Sequence, residues 1–223
     1  TAALLYIAYK PIPIEIASET ANEAARPLRQ IALQAVFVAA LANNVVAYAL
    51  MVCVMTATPL AMLGCGFGIA DGAGVIQWHM LGMFAPALIA GHLVQRFGSI
   101  VLALTGMVLL LAASILASHS SALAVFYTAL LLLGVGWNFM FVAGSTLLAQ
   151  SYRSSERSKT QACSEFSTSL FAASASLLAA PLLQNLGWAR LNALLPWLLL
   201  LPLLATLYYW RSLMPTQPCR DEG

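Results

Sequence analysis

Six long apolar runs, separated by short polar stretches, are the feature that most constrains this chain of 223 residues. A bilayer core about 30 Å thick needs about 20 helical residues to cross it, and each run is close to that length. The runs cover residues 31–57, 75–93, 100–117, 122–149, 162–183 and 194–210. Barrel strands are only about 10 residues long and alternate apolar with polar side chains, which these runs do not. The pattern predicts an all-α membrane protein with six transmembrane helices.

The composition agrees with a chain surrounded by a lipid bilayer. Hydrophobic residues make up 61% of the sequence and charged residues only 8%, whereas soluble domains carry about 25% charged residues. So few polar side chains do not cover a water-soluble globule of this size. The net charge of +2 is small and the basic residues are scattered, so we expect no nucleic-acid partner.

The polar stretches divide the chain into four parts. Residues 1–9 are interpreted as the end of a truncated transmembrane helix, because this apolar stretch is too short to cross a bilayer and starts with Thr1. Residues 10–30 are predicted to form a polar loop, residues 31–210 the six-helix bundle, and residues 211–223 a polar tail. We therefore interpret the sequence as a fragment of a longer protein.

Lysine and arginine residues are distributed very unequally between the two sides of the predicted bundle. Because six spans alternate in direction, the polar stretches fall into two groups. One group holds nine of the ten basic residues, and the other holds only Arg190. Basic residues accumulate on the cytoplasmic side of membrane proteins. The sequence thus predicts that the loop at 10–30 and the C-terminus are cytoplasmic.

Polar side chains are concentrated in four of the six spans, namely the first, second, fourth and fifth. Such residues are costly in hydrocarbon, so they indicate either a water-filled cavity or hydrogen bonds between helices. A mixed polar and aromatic lining suits a small amphipathic organic solute. The candidate cavity residues are Asn43, Asn44, Tyr48, Gln77, His79, Trp137, Asn138, Phe141 and Ser169. For Asn43, Gln77 and Asn138, an interhelical packing role is an equal alternative.

Two titratable side chains in the spans are candidates for proton coupling. A carboxylate that loses its water in a cavity becomes easier to protonate, which would let Glu165 carry a proton. Its nearness to Lys159 in the sequence leaves an interfacial ion pair as the alternative. His79 is the second candidate, with simple packing as its alternative. The four cysteines form no CxxC pair, so we expect neither a metal site nor another cofactor.

One polar stretch carries a recognisable motif. The octapeptide GHLVQRFG at residues 91–98 resembles the G-x-L-x-D-R-x-G signature of major facilitator transporters, in its second-half copy. The matching positions are Gly91, Gln95, Arg96 and Gly98. Gln95 stands where the family usually has Asp, which puts a gating role of this loop in doubt.

The resemblance covers nearly the whole chain and has clear structural implications. The six spans would be helices seven to twelve of a bacterial inner-membrane transporter, and the N-terminal half would be the missing partner. In this family, helices seven, eight, ten and eleven face the cavity, and these correspond to the four polar spans. The implied mechanism is alternating access of a small-molecule solute.

Two other classes of protein remain as alternatives. An intramembrane enzyme needs a nucleophile and a base at membrane depth, but the sequence has neither a GxSxG nor an HExxH motif. We therefore expect that the protein is not an enzyme. A non-transporting membrane scaffold would use the same polar residues only as buried contacts between helices.

Overall fold

A computed structural model of the chain describes residues 25–214. Helices account for nearly all of this part, and none of its residues is in a strand. Residues 1–9, most of the loop 10–30 and the end of the tail lie outside the described residues. The α-helices are α1 (Leu28–Ala32), α2 (Ala35–Gly64), α3 (Ile69–Phe84), α4 (Ala87–Phe97), α5 (Ser99–His119), α6 (Leu123–Ser151), α7 (Arg157–Leu198) and α8 (Leu200–Leu213).

The first crossing, α2, is longer than the sequence predicts. We expect a proline to end a helix, because it lacks the N–H donor and crowds the preceding turn. In the structure, α2 continues past Pro59 to Gly64. Neighbouring helices and hydroxyl side chains make prolines tolerable in membrane helices. The hydroxyl of Thr58, the residue before this proline, donates to Val54 O at 2.7 Å within α2.

The second crossing is built from two helices, α3 and α4, which meet at Pro86. The glycine-rich segment at residues 65–74 is predicted from the sequence to be a turn. In the structure the turn is shorter, because α3 already begins at Ile69. Asp71 lies in the first turn of α3, where its Oδ2 accepts a 3.0 Å hydrogen bond from Gly68 N. This contact satisfies a backbone donor at the start of the helix. The break at Pro86 follows from its missing N–H.

The fifth and sixth crossings lie in one nearly continuous helical stretch, Ser154–Leu213, of 60 residues. The sequence predicts a turn at residues 184–192, but only Gly187 leaves the helical conformation, with φ 76° and ψ 166°. A positive φ is accessible to glycine without steric cost, so one residue is sufficient for the break. The chain reverses direction there, as the contacts at its two ends show.

The contacts after Gly187 place the final segment antiparallel to the preceding one. Near the break, the Trp188 ring lies 5.1 Å from the Phe126 ring at the start of α6. At the other end, Asn43 Nδ2 near the start of α2 donates to Thr206 Oγ1 at 2.9 Å. The final segment therefore runs back across the bundle. With the four long apolar stretches before Ser154, the described residues provide six crossings.

Four crossings form a front layer, in the order α7 (before Gly187), α2, α6 and α3. Both α7 and α6 pack against α2, and α3 packs against α6. Behind this layer, α5 packs on α6, and the final crossing packs on α2 and α5. The layer thus consists of the four spans in which the sequence concentrates its polar residues. We call its outer surface the front face.

Glycines on α6 allow three neighbouring helices to approach it closely. A Cβ at Gly134 would lie 2.6 Å from His79 O and 2.9 Å from Met83 N, both on α3. On another side of α6, a Cβ at Gly136 would lie 2.9 Å from Gly106 O of α5. Gly144 similarly packs against the side chain of Asn44 on α2. Because most of these contacts are with backbone atoms, they leave little room for any larger side chain.

Candidate functional site

Three of the candidate cavity residues are fully enclosed and join helices to one another. Asn43 links α2 to the final crossing through Thr206. The His79 Nδ1 atom of α3 lies 2.8 Å from Leu130 O of α6. Asn138 of α6 donates through Nδ2 to Met83 O of α3 at 2.9 Å. These bonds favour the packing alternative for all three residues.

The bond from Asn138 has a specific structural reason. Met83 lies one turn before Pro86, where the missing proline N–H interrupts the backbone bonding of the second crossing. In a bilayer, a carbonyl in such a break needs a partner from the protein. Asn138 provides this partner from the neighbouring helix, so it stabilises the junction between α3 and α4.

We expect the Asn138→Leu substitution to reduce the free energy of unfolding by about 1–2 kcal/mol, because Met83 O loses its donor. Thermal unfolding of the full-length protein in detergent measures the effect. Thr128→Val is the control, since Thr128 is an exposed residue of α6 that bonds only within its own helix. An Asn138 variant as stable as the Thr128 variant would contradict this role.

An aromatic site lies at the junction of α2 and α6 in the middle of the front layer. It consists of Tyr48, Trp137 and Phe141. Trp137 and Phe141 are stacked with an interplanar angle of 4° and a centroid distance of 5.2 Å. Tyr48 meets both rings edge-on, at 5.1 Å from Trp137 and 5.5 Å from Phe141. Offset stacked and edge-to-face pairs are the favourable arrangements of aromatic rings.

The three rings differ in exposure. Trp137 is buried, whereas Tyr48 and Phe141 are half-buried. The indole Nε1 of Trp137 is enclosed and has no hydrogen-bond partner among residues 25–214. Asn44, the remaining candidate of α2, is also buried, and its Oδ1 has no partner in the same part of the chain. The aromatic site therefore combines two partly accessible rings with one buried ring whose indole N–H is unpaired within these residues.

Three candidate residues remain exposed on helices of the front layer. They are Gln77 on α3 and Glu165 and Ser169 on α7. Glu165 lies on α7, which packs against α2, and its charge acts on the Tyr48 hydroxyl. No salt bridge between Glu165 and Lys159 occurs in the described part of the chain. The structure brings Tyr48, Trp137 and Phe141 together across α2 and α6, with Glu165 on the adjacent α7.

The octapeptide motif lies at the connection between α4 and α5. Gly91, Gln95 and Arg96 are exposed, and the Arg96 guanidinium lies over the Phe97 ring at 5.4 Å from its centroid. Gly98 has φ 83°, a conformation that other residues rarely adopt. This glycine allows α4 to end and α5 to begin within one residue. The motif is therefore distant from the aromatic site and shapes a tight connection.

The sequence analysis did not identify an ion pair that fixes the connection between α6 and α7. The carboxylate of Glu156 is fully buried and binds the guanidinium of Arg26, with 2.9 Å from Nε to Oε1 and 2.7 Å from Nη2 to Oε2. The backbone N–H groups of Arg26 and Arg153 also donate to it, and Lys159 Nζ donates to Arg26 O. A glutamate three residues after the N-cap residue, here Arg153, is a capping signal in the sequence. It accounts for the bond from Arg153 N but not for the pair with Arg26.

The ion pair determines how Glu156 titrates. This residue lies in the polar connection before the fifth crossing, outside the membrane-spanning segments. Hydrogen bonds from the Arg26 guanidinium hold the pKa of the Glu156 carboxyl well below its usual range. A lowered pKa in the folded state adds stability above the ordinary pKa of glutamate, about 4.3, and this stability is lost as the pH falls below that value.

We expect Glu156→Gln to lower the midpoint of thermal unfolding by several degrees at pH 7, because Arg26 loses its buried anionic partner. The difference from wild type should shrink between pH 5 and pH 3, where the wild-type carboxylate becomes protonated as the protein unfolds. Arg157→Gln is the control, since Arg157 is an exposed neighbour. A difference that does not change with pH would contradict the role of the charge.

The donor chemistry of the described residues does not suggest a metal centre. Among residues 25–214, no three His, Cys, Asp or Glu side chains come together in a way that could hold a metal ion. The front layer offers aromatic rings for stacking at Tyr48 and Phe141 and exposed polar side chains at Glu165 and Ser169. Such a layer, in a bundle of membrane-crossing helices, is typical of a membrane transporter.

Comparisons with known proteins identify the family. No protein-family model matches the chain. It is 37% identical to the riboflavin transporter RfnT of Brucella anthropi over 171 residues, which are 77% of this chain and 43% of that protein. It is 32% identical to YddS of Bacillus subtilis, an uncharacterised MFS-type transporter, over 76% of this chain and 39% of that protein. The chain belongs to the major facilitator superfamily.

The similarity to these relatives tests several of the predictions made from the sequence. The all-α membrane fold and the resemblance to major facilitator transporters are confirmed. The prediction of a protein that is not an enzyme is confirmed as well, since the relatives are named as transporters. The chain spans about two-fifths of the length of the two relatives that it matches over 171 residues.

Proposed function

We propose that the protein containing this chain is a secondary transporter that moves a small amphipathic organic solute by alternating access. This chain would supply the C-terminal half, and the solute would bind near the membrane midplane between two halves. The observation that carries the proposal is the front layer, in which Glu165 and Ser169 are exposed on α7 and the aromatic site lies between α2 and α6. Polar groups on a membrane helix need water, a solute or another protein surface as their environment.

The relatives support this assignment and give a first solute to test. One of them is named a riboflavin transporter, so a flavin is the first choice for this protein too. Both relatives that match over 171 residues are more than twice as long as the matched region. This supports an N-terminal half as the partner that completes the cavity.

The charges at the two ends of the bundle support an orientation in the membrane. Contacts of Arg26 with the start of α7, and of Tyr209 in α8 with Gln150 in α6, place these ends of the helices together. Seven described basic residues lie at this end, namely Arg26, Arg29, Arg96, Arg153, Arg157, Lys159 and Arg211. The opposite end has Arg190. Positive charge on the cytoplasmic side supports a bacterial inner-membrane protein whose C-terminus is cytoplasmic.

Among the two candidates for proton coupling, the geometry favours Glu165. His79 is enclosed between α3 and α6, and its Nδ1 is engaged with Leu130 O. Glu165 is exposed on α7, which packs against the helix of Tyr48. A carboxylate in this position can bind a proton when the cavity closes and loses its water.

Uptake into proteoliposomes tests the proposed function. The full-length protein is reconstituted, and the entry of riboflavin and a panel of other labelled amphipathic solutes is followed under imposed pH and sodium gradients. Accumulation of any one solute above protein-free liposomes is the expected result. If no solute moves under any gradient, a non-transporting scaffold explains the bundle better.

A further inference from the structure

The aromatic site differs from the other aromatic cluster of the chain in a way that suggests a ligand. Phe67, Phe126 and Trp188 also form a cluster, but Phe126 and Trp188 are buried in the hydrophobic core. In the aromatic site, Tyr48 and Phe141 remain half-buried on the front face. Tyr48 and Phe141 pack against Trp137 on one side and are partly exposed on the other. A further aromatic ring can therefore stack on them.

The position of the site across the layer is also suited to a solute. Tyr48 lies thirteen residues after the start of α2 and Trp137 fourteen after the start of α6. At 1.5 Å per residue, both are roughly 20 Å along helices of about 45 Å, which is near the middle of the membrane. Glu165 is exposed on α7, the helix that packs against α2, and it provides a hydrogen-bond acceptor on the same layer.

Trp137 has an enclosed indole N–H that is unpaired within the described residues, and so does Trp188 in the other aromatic cluster. A buried donor without an acceptor costs free energy in the interior of a membrane protein. The described part of the chain provides no acceptor for it. Because this atom is enclosed in both clusters, the ligand assignment rests on the half-buried rings of Tyr48 and Phe141.

We propose that the aromatic site binds the planar heteroaromatic ring of the transported solute, and that Glu165 accepts hydrogen bonds from its N–H or hydroxyl groups. The ring stacks on the open side of Phe141 and meets the edge of Tyr48. This inference rests on the proposed function and deepens it, because it names the class of substrate and the residues that select it. Planarity of the solute, rather than its apolar character alone, then determines binding.

The test uses quenching of riboflavin fluorescence by the full-length protein in detergent. Stacking on aromatic side chains quenches a flavin, so a titration gives the dissociation constant directly. We expect Phe141→Leu and Tyr48→Leu each to weaken binding about tenfold, since each removes one ring contact. Tyr48→Phe retains the ring and should change affinity less than Tyr48→Leu. Phe126→Leu, which alters the other cluster on the same helix, should leave the affinity unchanged.

The unfolding midpoints of all four variants show whether a loss of affinity comes from misfolding. Uptake of the solute panel separates the aromatic assignment from the proposed transport function. Wild-type protein that does not bind riboflavin, or Phe141→Leu and Tyr48→Leu variants that are folded and bind it with unchanged affinity, would overturn the aromatic assignment. If another solute still accumulates in proteoliposomes in that case, the transporter proposal stands. Absence of uptake for every solute would instead overturn the proposed function.

Discussion

The Glu165→Gln substitution should reduce proton-coupled uptake by an order of magnitude or more while the protein remains folded. Glu165 is exposed on α7, so the amide is accommodated without a change in packing. The substitution removes the titratable group that adjoins the aromatic site, and ionisable residues at membrane depth commonly serve as proton relays. Uptake by proteoliposomes that contain an internal pH dye measures solute and proton movement in the same sample.

Asp71→Asn is the matched control for this experiment. It also replaces a carboxylate by an amide, but Asp71 lies in the first turn of α3, where its partner is Gly68 N. We expect this variant to retain coupled uptake. Unchanged solute and proton movement in the Glu165 variant would exclude this residue from the coupling path, and coupling would then reside elsewhere in the full-length protein.

Gly134→Leu is expected to have the largest effect on stability, about 3 kcal/mol or more. Even a Cβ at this position would lie 2.6 Å from His79 O and 2.9 Å from Met83 N. These are backbone atoms, so α3 must move away from α6 to make room. That movement would also disturb the bonds that His79 and Asn138 make between the same two helices. Thermal unfolding of the purified full-length protein is the measurement.

Gly91→Leu is the control for Gly134→Leu. Gly91 is exposed on α4, and a Cβ there would meet nothing within 4 Å. Removing a glycine from a helix interior is worth up to about 1 kcal/mol in favour of the helix. The Gly91 variant should therefore be at least as stable as wild type. A Gly134 variant of similar stability would mean that α3 and α6 do not approach as closely as described.

The membrane-crossing segments could be predicted because the length of an apolar run can be read directly from the local sequence. The ends of the helices were less predictable, since they depend on single residues. Pro59 does not end α2, and Gly187 alone separates two crossings where a longer turn was expected. A helix end needs only one residue with the right backbone conformation or one capping contact, and such residues are not distinguished by their hydropathy.

The candidate site could be predicted only in part, because burial depends on which neighbour each helix face meets. Asn43 and Gln77 look alike in the sequence, yet Asn43 is enclosed against Thr206 and Gln77 is exposed. The aromatic site joins Tyr48 to rings about ninety residues later in the chain. The pair of Arg26 and Glu156 is separated by 130 residues. Pairings over such distances follow from the tertiary fold and have no local signature.

The most direct test of the central claim is whether Ser169 on the front face lies in a water-filled cavity that the solute occupies. The full-length protein is made cysteine-free, and a single cysteine is introduced at Ser169 or, as a control, at Val108, an exposed residue of α5 that would face lipid. We predict that a membrane-impermeant maleimide labels the Ser169→Cys variant, that riboflavin slows this labelling, and that the Val108→Cys variant is not labelled. Labelling of Ser169→Cys that is as slow as that of Val108→Cys would contradict a solute cavity at the front face.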